Sequence, residues 1–207
     1  MPAEPIPGWK NVVFKNRGLL LVPVAVVLVV FGRPSLESAI VGILVAACGE
    51  LLRIWAVGYS GVTTRANVVT APALVTAGPY SRMRNPLYVG NTIIAVGFWI
   101  ALSGNVSLPH AALMLALIIG LICCVYGVII PLEETFLAQQ FGRAYESYVQ
   151  KVARIVPGRP LKKQEQRGRW RADVILRAEV ITLSYFLLMV LLVILKFGPL
   201  KGLGPAF

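Results

Sequence analysis

Two polar, aromatic-rich clusters interrupt an otherwise apolar sequence, and their side chains are the ones equipped for chemistry. The first is Gly78-Pro79-Tyr80-Ser81-Arg82-Met83-Arg84-Asn85-Pro86-Leu87-Tyr88-Val89-Gly90. The second follows the next apolar run, as Pro131-Leu132-Glu133-Glu134 and then Phe141-Gly142-Arg143-Ala144-Tyr145 and Tyr148. Glu133 and Glu134 are adjacent, so they cannot share one helix face as an acid/base dyad requires; one is expected to enter a pocket while the other faces water. A carboxylate there can accept hydrogen bonds from ribose hydroxyls or attract a cationic ligand, or the pair is no more than helix-start charge. Tyr80, Tyr88, Tyr145 and Tyr148 suit an interfacial belt. They equally suit an aromatic wall that stacks on an adenine or holds a cation by its ring faces. Arg82 and Arg84 signal topology, although Arg84-Asn85-Pro86 also stands at a helix start. Each cluster lies at the same end of a hydrophobic segment, so the two are expected to form one site at a membrane face.

The elements that must position these residues follow from proline and periodicity. Pro86 disfavours helical geometry at Asn85 and suits the first turn of a helix. A helix therefore starts near Pro86–Leu87, leaving backbone N–H groups near Asn85–Tyr88 for an anion. Pro131 is expected to end or kink its helix, placing Glu133 and Glu134 in the first turn of a new one. That helix, about Leu132–Val152, carries Leu132, Phe136, Leu137, Phe141, Tyr145, Tyr148, Val149 and Val152 near one stripe. It reads as amphipathic, lying on or under a bundle, with Gly142 as a possible bend.

The chain has 207 residues, 57% hydrophobic and 14% charged, where a soluble domain carries about 25% charge. Apolar blocks recur at roughly Gly18–Phe31, Leu36–Tyr59, Leu87–Leu102, Ala111–Ile130 and Val174–Leu195, lengths suited to a hydrocarbon core of roughly 30 Å. The expected fold is an all-α, multi-pass membrane helical bundle with about five spans, completed on its inner face by the amphipathic helix. Val12–Phe14 would extend the short first span, which does not read as a signal peptide because no A-x-A-like cleavage site follows it and another apolar run begins almost at once.

The net charge of +11 is unevenly placed. Lys10, Lys15, Arg17, Arg65, Arg82, Arg84 and the dense Arg143–Arg171 stretch fall on one side, against Arg33, Lys196 and Lys201 on the other. This predicts the N-terminus and the site inside, on the cytoplasmic side, and the C-terminus outside. The basic residues are then read as setting topology and touching lipid headgroups; nothing resembles a nucleic-acid module. Cys48, Cys123 and Cys124 lack metal-ligand spacing and read as buried small hydrophobes, so no metal, haem or disulfide is expected. His110, the sole histidine, lies at the outer end of its span, away from both clusters. Glu50 and Arg53 share a helix face, either as a functional pair within a span or as a mutually neutralising structural one. The inner connections, Gly61–Pro86 and Pro131–Asp173, hold most of the polar residues, and Gly61–Thr76 reads as an irregular loop. No internal repeat divides the chain, which is expected to form one domain.

With these residues in place, the chain resembles the superfamily of isoprenylcysteine carboxyl methyltransferases and phospholipid (phosphatidylethanolamine) methyltransferases. Leu74-Val75-Thr76-Ala77-Gly78-Pro79-Tyr80 with Arg84-Asn85-Pro86-Leu87-Tyr88-Val89-Gly90 is similar to its first signature. Glu133-Glu134, Phe141-Gly142, Tyr145, Tyr148 and Val156-Pro157 are similar to its second. The resemblance covers roughly Ala71–Pro157; the last span lies beyond it.

The resemblance implies an integral membrane enzyme that uses S-adenosylmethionine without a Rossmann domain. It puts Leu74, Val75, Tyr80, Asn85, Pro86, Leu87, Tyr88 and Glu133 at cofactor-binding positions. Gly78 is expected to bind the cofactor with them, Glu133, Glu134 and Arg84 are the expected catalytic residues, and Tyr145 and Tyr148 the expected substrate-binding ones. Three departures stand out. Pro72 replaces a His before the Leu-Val pair. Asn85 replaces the His of Arg-His-Pro, which points to positioning rather than proton transfer. Ile129 stands where prenylcysteine enzymes carry a substrate-binding Arg, which shifts the expected acceptor from a carboxylate toward an amine lipid or another lipophile. The competing expectations are a sterol-type membrane reductase using NADPH, against which the paired glutamates argue, and a non-enzymatic scaffold or transporter lined by Glu50 and Arg53.

Overall fold

The structure, a computed structural model, describes residues 8–61 and 71–199. Arg65, Lys201 and most of the loop read at Gly61–Thr76 lie outside the described residues. Within them the protein is helical: α1 Gly8–Lys15, α2 Val22–Phe31, α3 Leu36–Ser60, α4 Pro86–Leu102, α5 Leu108–Phe141, α6 Arg143–Lys151, α7 Ile175–Ala178 and α8 Val180–Leu195, with short 3-10 turns at Leu19–Leu21, Gly78–Ser81 and Lys163–Glu165. The sole β-type pairing among the described residues is a single parallel bridge between Met83 and Ala153. Two helices, α3 and α5, are long and apolar enough to cross a membrane; α2, α4 and α8 are apolar but shorter.

The chain divides into two compact units. The first contains residues up to Arg17, Leu52–Val89 and Val125–Val180; the second contains Gly18–Leu51, Gly90–Cys124 and the residues from Ile181. In the second unit α3 and α4 meet through small residues. A Cβ on Gly49 would stand 2.7 Å from the Gly90 carbonyl oxygen, and one on Gly97 would stand 2.7 Å from Ala46 Cα. Such small-residue seams let helix backbones approach closely, the usual basis of helix pairing in apolar surroundings. Arg33 N–H donates to the Leu102 carbonyl, and Asn105 binds the Arg33 and Pro34 carbonyls, tying the α2–α3 turn to the α4–α5 turn. His110 bonds Ser107 within this unit.

Four expectations change. The first apolar run does not extend back through Val12–Phe14, because α1 ends at Lys15 and a separate turn precedes α2. Pro131 does not end its helix: α5 runs through it to Phe141. A proline ring crowds the carbonyl four residues earlier, yet the helix continues, with Ile129, Ile130 and Leu132 buried on either side of the proline. The break falls instead at Gly142, with φ +49, a backbone state that glycine adopts readily. The last apolar run is interrupted at Glu179, between α7 and α8, where the buried Glu179 carboxylate takes two hydrogen bonds from Arg53 Nη2, at 2.8 and 2.9 Å. Cys48, Cys123 and Cys124 are exposed rather than buried. Their helices are apolar on every side, so composition does not distinguish core-facing from outward positions.

Candidate active site

Every residue of the two clusters from Leu74 to Tyr88 and from Glu133 to Tyr148 falls in the first unit. The approach to α4 is a short turn: Ser81 Oγ donates to the Gly78 carbonyl at 2.7 Å, and the Arg82 and Met83 amides reach the Pro79 carbonyl. Gly78 has φ +61, and a Cβ there would lie 2.6 Å from Tyr59 Cδ2. Glycine is thus required twice, by the turn and by the ring beneath it. Pro86 opens α4 as expected and is fully buried.

The amides of Arg84 and Asn85 are already bonded, to the carbonyls of Ala153 and Arg154 at 2.9 and 3.2 Å. The anion-binding end expected at Asn85–Tyr88 therefore does not include the Asn85 N–H. The Asn85 side-chain amide is likewise engaged, donating to Glu134 Oε1 at 3.3 Å and to the Arg154 carbonyl at 3.2 Å. Asn85 works here as a buried clip between the clusters.

Glu133 and Glu134 sit within α5, about two turns before its end, rather than in the first turn of a new helix. Successive helical residues point about 100° apart, and the two carboxylates meet different partners. Glu134 Oε1 accepts from Arg84 Nε at 3.0 Å as well as from Asn85, and Oε2 accepts from Arg154 at 2.5 Å. Arg84 also donates to the Val152 carbonyl at 2.6 Å. Glu134 is therefore not turned to water; it fastens the two clusters to the chain beyond α6. Glu133 accepts one hydrogen bond, from the Tyr88 hydroxyl at 2.8 Å, and its second oxygen is uncommitted among the described residues.

The tyrosines separate into two pairs. The Tyr88 ring packs tilted against Tyr126, with centroids 4.6 Å apart. Tyr126 was not singled out from the sequence, although it lies seven residues, two helical turns, before Glu133 on the same side of α5. Tyr145 and Tyr148 are buried in a cluster with Leu74 and Val152, against Leu137, Ala138, Phe141 and Leu161. Tyr148 donates its hydroxyl hydrogen to the Tyr80 carbonyl at 2.7 Å. Burial pushes the Tyr80 and Tyr148 hydroxyls well above the usual tyrosine range, so they stay protonated. This pair is neither an interfacial belt nor an open wall, and Leu74 belongs to the same core. Val75 and Leu87 are half-buried; Val75 packs near Gly168.

The arrangement is thus one partly buried carboxylate bonded to a tyrosine whose ring packs on a second aromatic ring, with an ionic clamp one residue away. Comparison with known proteins places this architecture. The chain belongs to the phospholipid methyltransferase family, which matches residues 38–144. It is similar to a probable protein-S-isoprenylcysteine O-methyltransferase of Oryza sativa subsp. indica, 36% identical over 121 residues, covering 56% of this chain and 60% of that protein. It is also similar to protein-S-isoprenylcysteine O-methyltransferases A and B of Arabidopsis thaliana. With A the identity is 33% over 120 residues (56% of this chain, 57% of that protein). With B it is 38% over 84 residues (41% and 39%). The chain thus spans at most 60% of the length of these relatives. No solved structure gives a significant match.

Proposed function

We propose that this chain transfers a methyl group from S-adenosylmethionine to a lipophilic acceptor at a membrane. The observation that carries the proposal is the Tyr88–Glu133 hydrogen bond. It joins the two family signatures, sets the Glu133 carboxylate beside a tyrosine whose ring packs on Tyr126, and leaves the second carboxylate oxygen without a hydrogen bond among the described residues. That donor set fits the cofactor, because a carboxylate accepts from ribose hydroxyls and, with aromatic faces, favours a sulfonium.

When bound, the cofactor supplies an electrophilic methyl group, so the protein's task is placement and exclusion of water. Glu133 would hold the ribose or face the positive sulfur, with Tyr88 fixing its rotamer. Glu134 and Arg84, expected from the sequence to be catalytic, are assigned here to the clamp that keeps Glu133 and Tyr88 in register. Tyr145 and Tyr148 are assigned to the core that backs Tyr80. For the acceptor, Ile129 is wholly buried and apolar, which supports a neutral or amine-bearing lipophile over a carboxylate. Isoprenylcysteine is the acceptor in the names of the relatives. The five-span arrangement belongs to the same proposal: α4 and α8, at 17 and 16 residues, rise about 25 Å and can cross a slightly thinned bilayer. The N-terminus and site then lie on the cytoplasmic side.

Calorimetry on the purified protein tests this, with S-adenosylmethionine and NADPH titrated in parallel. Binding of the former alone is expected, followed by methyl transfer from radiolabelled cofactor to a lipid in a total membrane extract. A folded protein that binds NADPH, or neither ligand, would overturn the proposal.

A further inference from the structure

Beyond α6 the chain turns back along the first signature instead of leaving it. The Ala153 and Arg154 carbonyls take the Arg84 and Asn85 amides, the Gly158 and Leu161 amides give to the Arg82 and Ser81 carbonyls at 2.9 and 3.0 Å, and the Arg167 carbonyl takes the amides of Thr76 and Ala77 at 2.9 and 3.1 Å. The far end is pinned on α3, where Arg171 N–H donates to the Gly58 carbonyl at 2.8 Å. There the Trp170 indole fills the space in which a Cβ on Gly58 would stand. These contacts are made almost wholly by main chain, so most of the strap's side chains are left for something else.

Those side chains are of one kind. Between residues 154 and 171 there are seven basic residues and one acidic residue. Arg159, Lys162, Lys163 and Arg169 are exposed, and the lone acid, Glu165, is already paired with Lys151. Beside them stand Ile155 and Val156, 48% and 72% exposed. Cations next to bare aliphatic side chains suit a surface that offers phosphates above hydrocarbon, whereas a soluble polyanion has no use for the aliphatic pair. The height fits as well. The 34 residues of α5 rise about 51 Å against a hydrocarbon core of roughly 30 Å. The end of α5 beyond Pro131, and the chain that follows, therefore emerge at headgroup level.

We propose that residues 154–171 form a basic strap that docks on anionic lipid headgroups, and that this docking holds the segment 76–85 in its folded position. The first half stands independently of the proposed function; the second rests on it, because its readout is methyl-donor binding.

The test uses the full chain in lipid nanodiscs of phosphatidylcholine, with or without phosphatidylglycerol. Cys48, Cys123 and Cys124 are replaced by Ala, and Val156→Cys carries an environment-sensitive dye. With phosphatidylglycerol the dye should shift to the blue and lose access to aqueous iodide several-fold, and high salt should reverse both changes. The side chains of Arg159, Lys162 and Lys163 make no hydrogen bond among the described residues, so Arg159→Glu/Lys162→Glu/Lys163→Glu spares the main-chain grip. It should weaken docking by at least about a hundredfold, at roughly fivefold per basic side chain. Should that variant fail to melt cooperatively, Lys162→Gln/Lys163→Gln serves instead, with an expected loss of about 25-fold. S-adenosylmethionine should bind several-fold tighter with phosphatidylglycerol in the wild type, and equally in both discs after charge reversal. Equal dye exposure in the two discs overturns docking, whatever the donor does. Release of the dye-labelled strap by a polynucleotide in the presence of phosphatidylglycerol overturns lipid as the partner. Docking without any change in donor affinity overturns the second half alone. A protein that docks but binds no donor in either disc overturns the proposed function, and the second half with it, while docking stands.

Discussion

Arg84 Nε lies 3.0 Å from Glu134 Oε1, and the same carboxylate takes Arg154 on its other oxygen. One residue earlier, Glu133 holds a single tyrosine hydroxyl. Adjacent carboxylates of the same type therefore differ in what they can do: one is saturated and joins three segments of chain, and the other retains an acceptor for a ligand. This difference separates the effects of their removal.

Glu133→Gln should weaken S-adenosylmethionine binding by roughly tenfold to a hundredfold, the range for a lost hydrogen bond to a charged group, with little change in melting temperature. Calorimetry and a thermal melt on the same preparation check both halves. A variant that melts early and binds normally would reverse the assignment.

Glu134→Ala should do the opposite. It leaves Arg84, whose side chain is about 10% exposed, as an uncompensated cation, at a cost of about 3 kcal/mol. The melting temperature should fall clearly, and the part of the population that remains folded should lose less donor affinity than Glu133→Gln does, because the clamp positions Glu133 and Tyr88 without meeting the ligand.

Much of this site is legible in the sequence, and what is not has physical reasons. The pairing of Gly78–Gly90 with Glu133–Tyr148 follows from their placement at like ends of apolar runs. Proline chemistry places the start of α4 correctly, because Pro86 needs no N–H in a first turn. Proline chemistry does not predict the outcome at Pro131, where buried neighbours hold the helix through the ring. The Arg53–Glu179 bond spans 126 residues and has no local signature; the i,i+3 spacing draws the eye to Glu50 instead. Arg154 is hidden within a basic run, where nothing in its neighbours sets it apart.

Gly142 offers a test of backbone conformation free of steric confusion. An added Cβ meets nothing within 4 Å, yet φ is +49. Gly142→Ala should therefore destabilise by about 1–3 kcal/mol through strain alone. Gly120→Ala, within α5 and equally uncrowded, should be neutral or stabilising by up to about 1 kcal/mol. Melts of the two variants side by side give the comparison.

High pH probes the buried tyrosines. Burial, and after it the Glu134 carboxylate, pushes the Tyr145 hydroxyl up to about 12, whereas an unfolded tyrosine ionises near pH 10. Between these values the folded chain keeps a proton that the unfolded chain has released. Stability should hold below about pH 10 and fall as pH rises from about 10 to about 12. Tyr145→Phe should make that fall shallower, though not abolish it while Tyr148 remains. Melts across the alkaline range decide the point.

The family match ends at residue 144, before the strap begins. Because the strap grips the signature by peptide groups, almost any residue other than proline can occupy most of its gripping positions without loosening it. Beyond Val156-Pro157, homologues can therefore conserve this piece of architecture while sharing few of its letters. There, comparison of backbone paths rather than alignment of residue types is the means of tracing it through the family.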